Sequence, residues 1–294
     1  MPIITKVLTR RHRGGAVVEY IEHSPDPTSE DGTARSTWIR TVGDGVPVVL
    51  IHGQSIDHRM MLPLDPVIAS AGRFRRLYID LPGHGHSEPV APMTTDGIVD
   101  VVADRLQSIV GTTPFAIIGA SFGGAVAVGV ADALGDQILG TALLAPALLP
   151  RDLRDLPEPG PDEANSDSAF LAGIPERDRA AFTAVTARRD RSQWILFDEY
   201  VRPGLTDHDA RAVGELAAWQ ATSPARVPRT HGGRHLIITG RQDTVVGWRD
   251  QRALLDAYPR ATYVVLDECG HNPHLERPRA VAALVADWLD SLRP

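Results

Sequence analysis

A serine stands between two glycines where an apolar stretch of the sequence changes character. Residues 115–130 read FAIIGASFGGAVAVGV: an apolar run typical of a buried strand precedes Ser121, and a run rich in Ala, Gly and Val, typical of a packed helix, follows it. Residues 119–123 match the pattern G-x-S-x-G, in which glycines permit a sharp strand-to-helix turn that exposes the hydroxyl. A serine that only caps a helix would not require glycines on both sides. The pattern therefore predicts a nucleophilic serine.

A serine hydroxyl needs a general base, which is usually a histidine held by a carboxylate. Among eleven histidines, His271 is the best placed, because it follows a late apolar run in LDECGHNPHLERP; His274 is its local competitor. Asp243 follows the preceding apolar run in LIITGRQDTVV. Asp267 ends the run that leads directly into His271, so it lies too close along the chain to reach the far ring nitrogen. The order Ser121, Asp243, His271 is that of nucleophile-elbow enzymes.

Acyl transfer at a serine also needs two N–H donors for the oxyanion. One is expected from the backbone of Phe122, directly after the serine. The segment VVLIHGQSIDH ends another buried run in His-Gly-Gln, and the backbone N–H of Gln54 is the expected second donor.

Composition excludes several classes of protein. The 294 residues carry a net charge of −7, with a pI near 5.9, which provides no basic excess for binding nucleic acid. A single cysteine excludes an intramolecular disulfide and a thiolate-rich metal site. No apolar run approaches the ~18 residues of a membrane span, and the N-terminus lacks the pattern of a signal peptide. We expect a soluble, cytoplasmic monomer or homodimer, and we expect the basic cluster TRRHRGG to be a solvated turn.

Apolar runs alternate with helical patterns along the chain, which favours βαβ units and a mostly parallel sheet. Helices are predicted over 94–110, from Phe122 onward, and over 277–292. The predicted strands cover 16–23, 36–42, 46–53, 75–83, 115–120, 138–146, 234–240 and 261–267.

The segment 151–230 interrupts this alternation. It opens with RDLRDLPEPGPDEANSDSAF and continues with helix-like stretches that carry several aromatic side chains, without a convincing buried strand. Long insertions in compact domains are usually functional. We expect a helical cap at 151–230 on a core domain formed by 1–150 and 231–294.

The motifs LIHGQ, YIDLPGHGHS, GASFGG, TGRQDTVV and CGHNPHLERP occur in the order found in the α/β-hydrolase superfamily, and from residue 46 to about 280 the sequence resembles its capped, single-domain serine hydrolases. The resemblance implies an eight-stranded, mostly parallel sheet flanked by helices, with an antiparallel second strand and the cap inserted after strand 6. It implies catalytic roles for Ser121, Asp243 and His271, an oxyanion hole at Gln54 and Phe122, and no metal or organic cofactor.

The implied activity is hydrolysis of an ester, a lactone or a related acyl bond in a small to medium, largely apolar small molecule, through an acyl-enzyme on Ser121. Hydrolysis of carbon–carbon bonds, a cofactor-free haloperoxidase or perhydrolase activity, a lyase activity and a non-catalytic receptor remain as alternatives. Three further features are expected to have structural roles. The histidines of HGHS are not expected to bind a metal, the pair Asp57-His58 is expected to form a structural hydrogen bond, and Cys269 is expected to be a buried packing residue.

Overall fold

A nine-stranded sheet organises the described part of the chain. The computed structural model describes residues 4–11, 17–24, 37–158, 166–223 and 228–292. The strands lie in the order β1-β2-β3-β5-β4-β6-β7-β8-β9. They are β1 (Ile4–Arg11), β2 (Val17–Ser24), β3 (Ile39–Val42), β4 (Val46–Ile51), β5 (Phe74–Ile79), β6 (Phe115–Ala120), β7 (Ile138–Leu144), β8 (Arg234–Gly240) and β9 (Ala261–Leu266).

The sheet is mostly parallel, as expected, but it does not have eight strands. From β5 across to β9 every neighbouring pair is parallel, whereas β3 pairs antiparallel with both β2 and β5, as expected for the strand predicted at 36–42. The additional strand is β1, which pairs antiparallel with β2 and includes Thr9, Arg10 and Arg11 of the basic cluster. The prediction of a turn was therefore wrong for these residues, while 12–15 lie outside the described residues. An edge strand needs only one partner and no continuous apolar run, so its sequence signal is weak.

Helices cover both faces of the sheet. They are α1 (Asp65–Ser70), α2 (Thr95–Val110), α3 (Phe122–Leu134), α4 (Ser168–Ala172), α5 (Glu176–Val185), α6 (Arg191–Tyr200), α7 (Ala210–Thr222), α8 (Leu254–Ala257), α9 (Pro273–Glu276) and α10 (Pro278–Ser291). In β4, Val49 and Ile51 pack with α2 and α3 in one core, whereas Val48 and Leu50 pack with α1 and α10 in the other. Successive side chains of a strand point to opposite faces, which explains why strands between two helical layers are apolar throughout.

The chain between β7 and β8 forms α4 to α7 rather than further strands of the sheet. On one side, Phe182 of α5 and Phe197 of α6 join the core that contains α10, and their rings meet edge to face at 5.3 Å. On the other side, Ala212 and Leu216 of α7 join the core that contains α2 and α3. This segment between β7 and β8, called the insertion below, thus packs against the apolar cores on both faces of the sheet. No helix within the described ranges combines the length and the apolarity needed to cross a membrane.

A buried carboxylate ties together two loops at the carboxyl ends of β4 and β5. Asp80 is fully buried; it accepts the backbone N–H groups of His58 and His86 at 2.8 and 3.0 Å and contacts the Nδ1 atom of each ring at 2.8 Å. Burial by itself would raise the pKa of Asp80, but the hydrogen bonds from His58 and His86 outweigh it and hold the pKa well below its usual range. The two histidine rings also pack against Trp38, each with a centroid separation of 4.6 Å. This cluster holds in place the segment that follows Gln54.

Replacing Asp80 with Asn is expected to lower the free energy of unfolding by about 2–4 kcal/mol, because an amide cannot accept from all four donors. Urea unfolding followed by far-UV circular dichroism measures this value. The control, Asp44→Asn, changes an exposed carboxyl and should stay within about 0.5 kcal/mol. Equal midpoints for the two variants would show that Asp80 does not stabilise the loops.

Candidate active site

The turn between β6 and α3 holds Ser121 in a strained conformation. Its φ of 52° lies in the left-handed region, which non-glycine residues seldom occupy, and its side chain makes no helix-capping hydrogen bond. Two glycines make this turn possible. A Cβ on Gly119 would lie 2.4 Å from the carbonyl oxygen of Gly123, and a Cβ on Gly123 would lie 2.3 Å from that of His52. The hydroxyl is therefore placed on a sharp corner rather than used as a helix cap.

Three side chains from separate loops form a continuous chain of contacts. His271 Nδ1 lies 3.0 Å from Asp243 Oδ2, and His271 Nε2 lies 2.9 Å from Ser121 Oγ. The carboxylate can only accept, so Nδ1 carries the ring proton and Nε2 accepts from the serine hydroxyl. Asp243 is fully buried, and its other oxygen accepts the N–H groups of Val245 and Val246 at 2.8 and 3.1 Å. This arrangement can remove a proton from Ser121.

Two backbone N–H groups beside the serine have no hydrogen-bond acceptor in the part of the chain that the structure describes. A Cβ on Gly53 would lie 3.2 Å from Ser121 Cβ, so the loop after β4 passes directly alongside, and Gln54 and Phe122 line the same cavity as Ser121. Within the described residues, neither the Gln54 N–H nor the Phe122 N–H donates to another protein group. The N-terminus of α3 also begins at Phe122, which favours negative charge at this point. The site can hold an oxyanion.

The competing residues lie elsewhere. His274 is buried with Nε2 bound to the carbonyl oxygen of Met60, and burial lowers its pKa to about 4. Asp267 is exposed and contacts Gln242 at 2.9 Å rather than a histidine. Cys269 is fully buried, and burial raises the pKa of its thiol. None of the three contacts Ser121.

The histidine-rich segments make structural contacts. Asp57 and His58 do not pair with each other: Asp57 binds Arg59, and His58 binds Asp80. His84 is buried, and burial lowers its pKa to about 3. Within the described ranges, His58, Asp80 and His86 have candidate metal-ligand atoms within 4.8 Å of one another. The Asp80 carboxylate in this group already accepts from two backbone N–H groups.

Sequence reasoning missed one residue that holds the loop of His271. Glu276 is buried, and its carboxylate accepts N–H groups from both neighbours of His271, Gly270 at 3.0 Å and Asn272 at 3.2 Å. It also accepts the N–H of Ala187, in the segment that follows α5, at 2.8 Å. A glutamate five residues after the histidine is visible in the sequence, but its burial is not, because the burial depends on α5 and its neighbours.

Two cavities meet at the serine. The larger, about 560 Å³, is lined by the loops after β4 and β7, the first turns of α2 and α3, one face of α7 and the turn after β8. The smaller, about 100 Å³, is lined mainly by apolar side chains from α5, α6 and the loop after β4. Gln54, Ser121, Val185 and His271 line both. A substrate bond held at Ser121 would thus have space on both of its sides.

A mostly parallel sheet with a strained serine turn at the carboxyl end of a central strand defines an α/β-hydrolase architecture. Comparison with known proteins agrees: the profile of the Alpha/beta hydrolase family matches residues 48–284, so the chain belongs to this family.

Several of the individual relatives are esterases and lipases, at modest identity. The chain is 27% identical over 265 residues to a pimeloyl-acyl-carrier-protein methyl ester esterase of Shewanella woodyi, covering 87% of this chain and 98% of that protein. It is 29% identical over 262 residues to the lipase LipV of Mycobacterium tuberculosis, covering 82% and 92%. Among solved structures, an α/β superfamily hydrolase from Oenococcus oeni aligns with a TM-score of 0.75 at 25% identity, covering 87% of this chain and 96% of that one.

Ser121→Ala, Asp243→Asn and His271→Ala should each lower kcat at least about a thousandfold on any ester that the protein hydrolyses, because each removes one group from a chain that acts as a unit. Initial rates with a short-chain p-nitrophenyl ester measure the loss. Ser108→Ala, on α2, removes a hydroxyl bound only to a backbone carbonyl and serves as the control. Near-normal turnover by folded Ser121→Ala would contradict this interpretation of the site.

The pH dependence of stability should report Glu276. Burial raises its pKa to about 7 against the opposing effect of its three N–H donors. A carboxyl group with a raised folded-state pKa stabilises the fold most below its unfolded value of about 4.3 and loses this contribution as the pH rises through the folded value. Between pH 5 and 8, the wild type should therefore lose about 2 kcal/mol of unfolding free energy relative to Glu276→Gln. Urea unfolding at both pH values measures this difference, with Glu199→Gln as a control at an exposed position. The same change in unfolding free energy between pH 5 and 8 for wild type and Glu276→Gln would contradict a raised pKa at Glu276.

Proposed function

We propose that the protein hydrolyses carboxylic esters of small molecules through an acyl-enzyme on Ser121. The observation that carries this proposal is the continuous contact from Asp243 through His271 to Ser121, beside two N–H groups that have no acceptor among the described residues. The named relatives, methyl ester esterases and lipases, favour a carboxylic ester over other acyl bonds.

In the proposed mechanism, His271 takes the hydroxyl proton as Ser121 attacks the ester carbonyl carbon. The N–H groups of Gln54 and Phe122 stabilise the oxyanion of the tetrahedral intermediate, in which each such donor typically contributes about 2.7–4 kcal/mol. His271 then protonates the departing alcohol, and Asp243 stabilises the imidazolium form. Water attacks the acyl-enzyme with the same histidine as base, which releases the acid and restores Ser121.

We propose that residues 151–230 form a cap on a core made of 1–150 and 231–294. Two contacts support this: the N–H of His271 donates to the carbonyl oxygen of Val185 at 2.9 Å, and Trp219 of α7 lines the larger cavity. The segment therefore contributes directly to the surroundings of the serine.

Only some of the aromatic side chains of the proposed cap line the two cavities at Ser121. Phe197 lines the smaller cavity and Trp219 the larger, whereas Trp194 packs against Phe182 and Phe197 with centroid separations of 5.5 and 5.6 Å. The apolar character proposed for the substrate therefore applies best to the part of it that enters the smaller cavity.

Labelling with a fluorophosphonate probe, followed by peptide mapping, tests the proposal without a known substrate. We expect an adduct on Ser121 and none on folded Ser121→Ala, because only an activated serine attacks the phosphorus centre. A panel of esters, lactones and ring-cleavage products then identifies the bond that is cleaved. Absence of labelling in folded wild-type protein would refute the proposal and favour a binding function on this fold.

A further inference from the structure

The two cavities at Ser121 differ in charge as well as in size. Among the described residues that line the smaller cavity, His271 is the one side chain that can carry a charge. The larger contains Asp96, Arg154 and His271. An ester bound at the serine places one half on each side, so the two halves of the substrate meet different chemistry.

Arg154 is the cationic group of the larger cavity, and it is already held in place. It lies in the segment that follows β7, where Nε donates to the carbonyl oxygen of Leu149 and Nη1 to that of Val245, both at 2.9 Å. A guanidinium has five N–H donors, so three have no acceptor among the described residues. The side chain is therefore fixed while most of its donors stay available.

No carboxylate in the described part of the chain forms an ion pair with Arg154. Asp243 is near enough to favour its charge, but the oxygens of Asp243 already accept from His271, Val245 and Val246. Burial lowers the pKa of the Arg154 guanidinium, and the charge of Arg151 adds to this effect. An arginine stays charged in proteins, so a half-buried guanidinium with no counter-ion among the described residues is an unusual feature of a ligand cavity.

We propose that Arg154 binds a carboxylate on the half of the substrate that occupies the larger cavity. The preferred substrates would then be esters with a small apolar group on one side of the scissile bond and an anionic group on the other. This rests on the proposed ester hydrolysis at Ser121. Planar guanidinium donors match a carboxylate in two parallel hydrogen bonds, which gives orientation as well as affinity. Asp96 lines the same cavity but is exposed.

The anionic group can belong to the acid or to the alcohol of the ester. Monomethyl esters of succinic, glutaric and adipic acid place the carboxylate on the acid side, and acetyl esters of the corresponding hydroxy acids place it on the alcohol side. Methyl esters of the matching simple fatty acids and acetyl esters of the matching simple alcohols are the neutral partners. The series of chain lengths locates the carboxylate relative to Ser121.

We expect at least one anionic ester to exceed its neutral partner in kcat/KM by about tenfold or more with the wild type. Arg154→Gln should lower kcat/KM for that ester by about 10- to 100-fold, mainly through KM, and change the neutral partner by less than about threefold. Arg154→Lys should retain part of the preference, because it keeps the charge but not the fork of donors. Arg151→Gln is the matched control: it removes a neighbouring charge that does not line either cavity and should leave the preference unchanged.

Equal losses on anionic and neutral esters in Arg154→Gln would overturn the inference, because they would mean that the arginine only fastens the loops at Leu149 and Val245. A wild type without preference for any anionic ester would also overturn it, while leaving ester hydrolysis intact. Calorimetric binding to Ser121→Ala separates the two proposals. If Ser121→Ala binds an anionic ester more tightly than its neutral partner, and the double variant Ser121→Ala/Arg154→Gln does not, the result supports the anion site even without turnover. Equal binding of the two esters to Ser121→Ala refutes it.

Discussion

The site depends on the close approach of α3 to the central strands. Because Gly119 and Gly123 carry no side chain, the first turn of α3 can lie against the backbone of β4 and β6, and Ser121 can occupy its strained corner between them. This position sets the direction of the hydroxyl, the location of the helix N-terminus beside it and the distance that His271 must span. A larger residue at either glycine would move all three at once.

Three buried carboxylates stabilise the loops around that corner. Asp80 accepts backbone N–H groups in the segments that follow β4 and β5, Asp243 accepts two in the turn after β8, and Glu276 accepts three on either side of His271 and in the insertion. Each carboxylate thus satisfies loop N–H groups that would otherwise be buried without acceptors. The loops at the carboxyl edge of the sheet are thus held by buried carboxylates as well as by side chains, such as Ile56 and Leu275, that join the apolar core.

The insertion contributes to the site in ways that its local sequence does not show. Its helices present few long apolar patterns, and the aromatic side chains that stand out in the sequence divide between core packing and cavity lining. Arg154 is one of several arginines in a polar stretch, and what distinguishes it from Arg151 is its contacts with Leu149 and Val245 and its place in the lining of the larger cavity. The strand β1 was missed for a similar reason, because its pairing with β2 supplies what its sequence pattern lacks.

The sequence by itself determined the mostly parallel sheet and the turn at Ser121, because these follow from apolar periodicity and from glycines at fixed offsets, whereas the antiparallel strand was expected only from the resemblance to α/β-hydrolases. It also ranked Asp243 above Asp267 by their separations from His271 along the chain. Only the tertiary structure decided which carboxylate is buried against the histidine, which glutamate holds its loop and which arginine faces the cavity. Burial and side-chain contact arise between residues far apart in sequence, such as Ser121 and His271, which are separated by 150 positions and lie 2.9 Å apart.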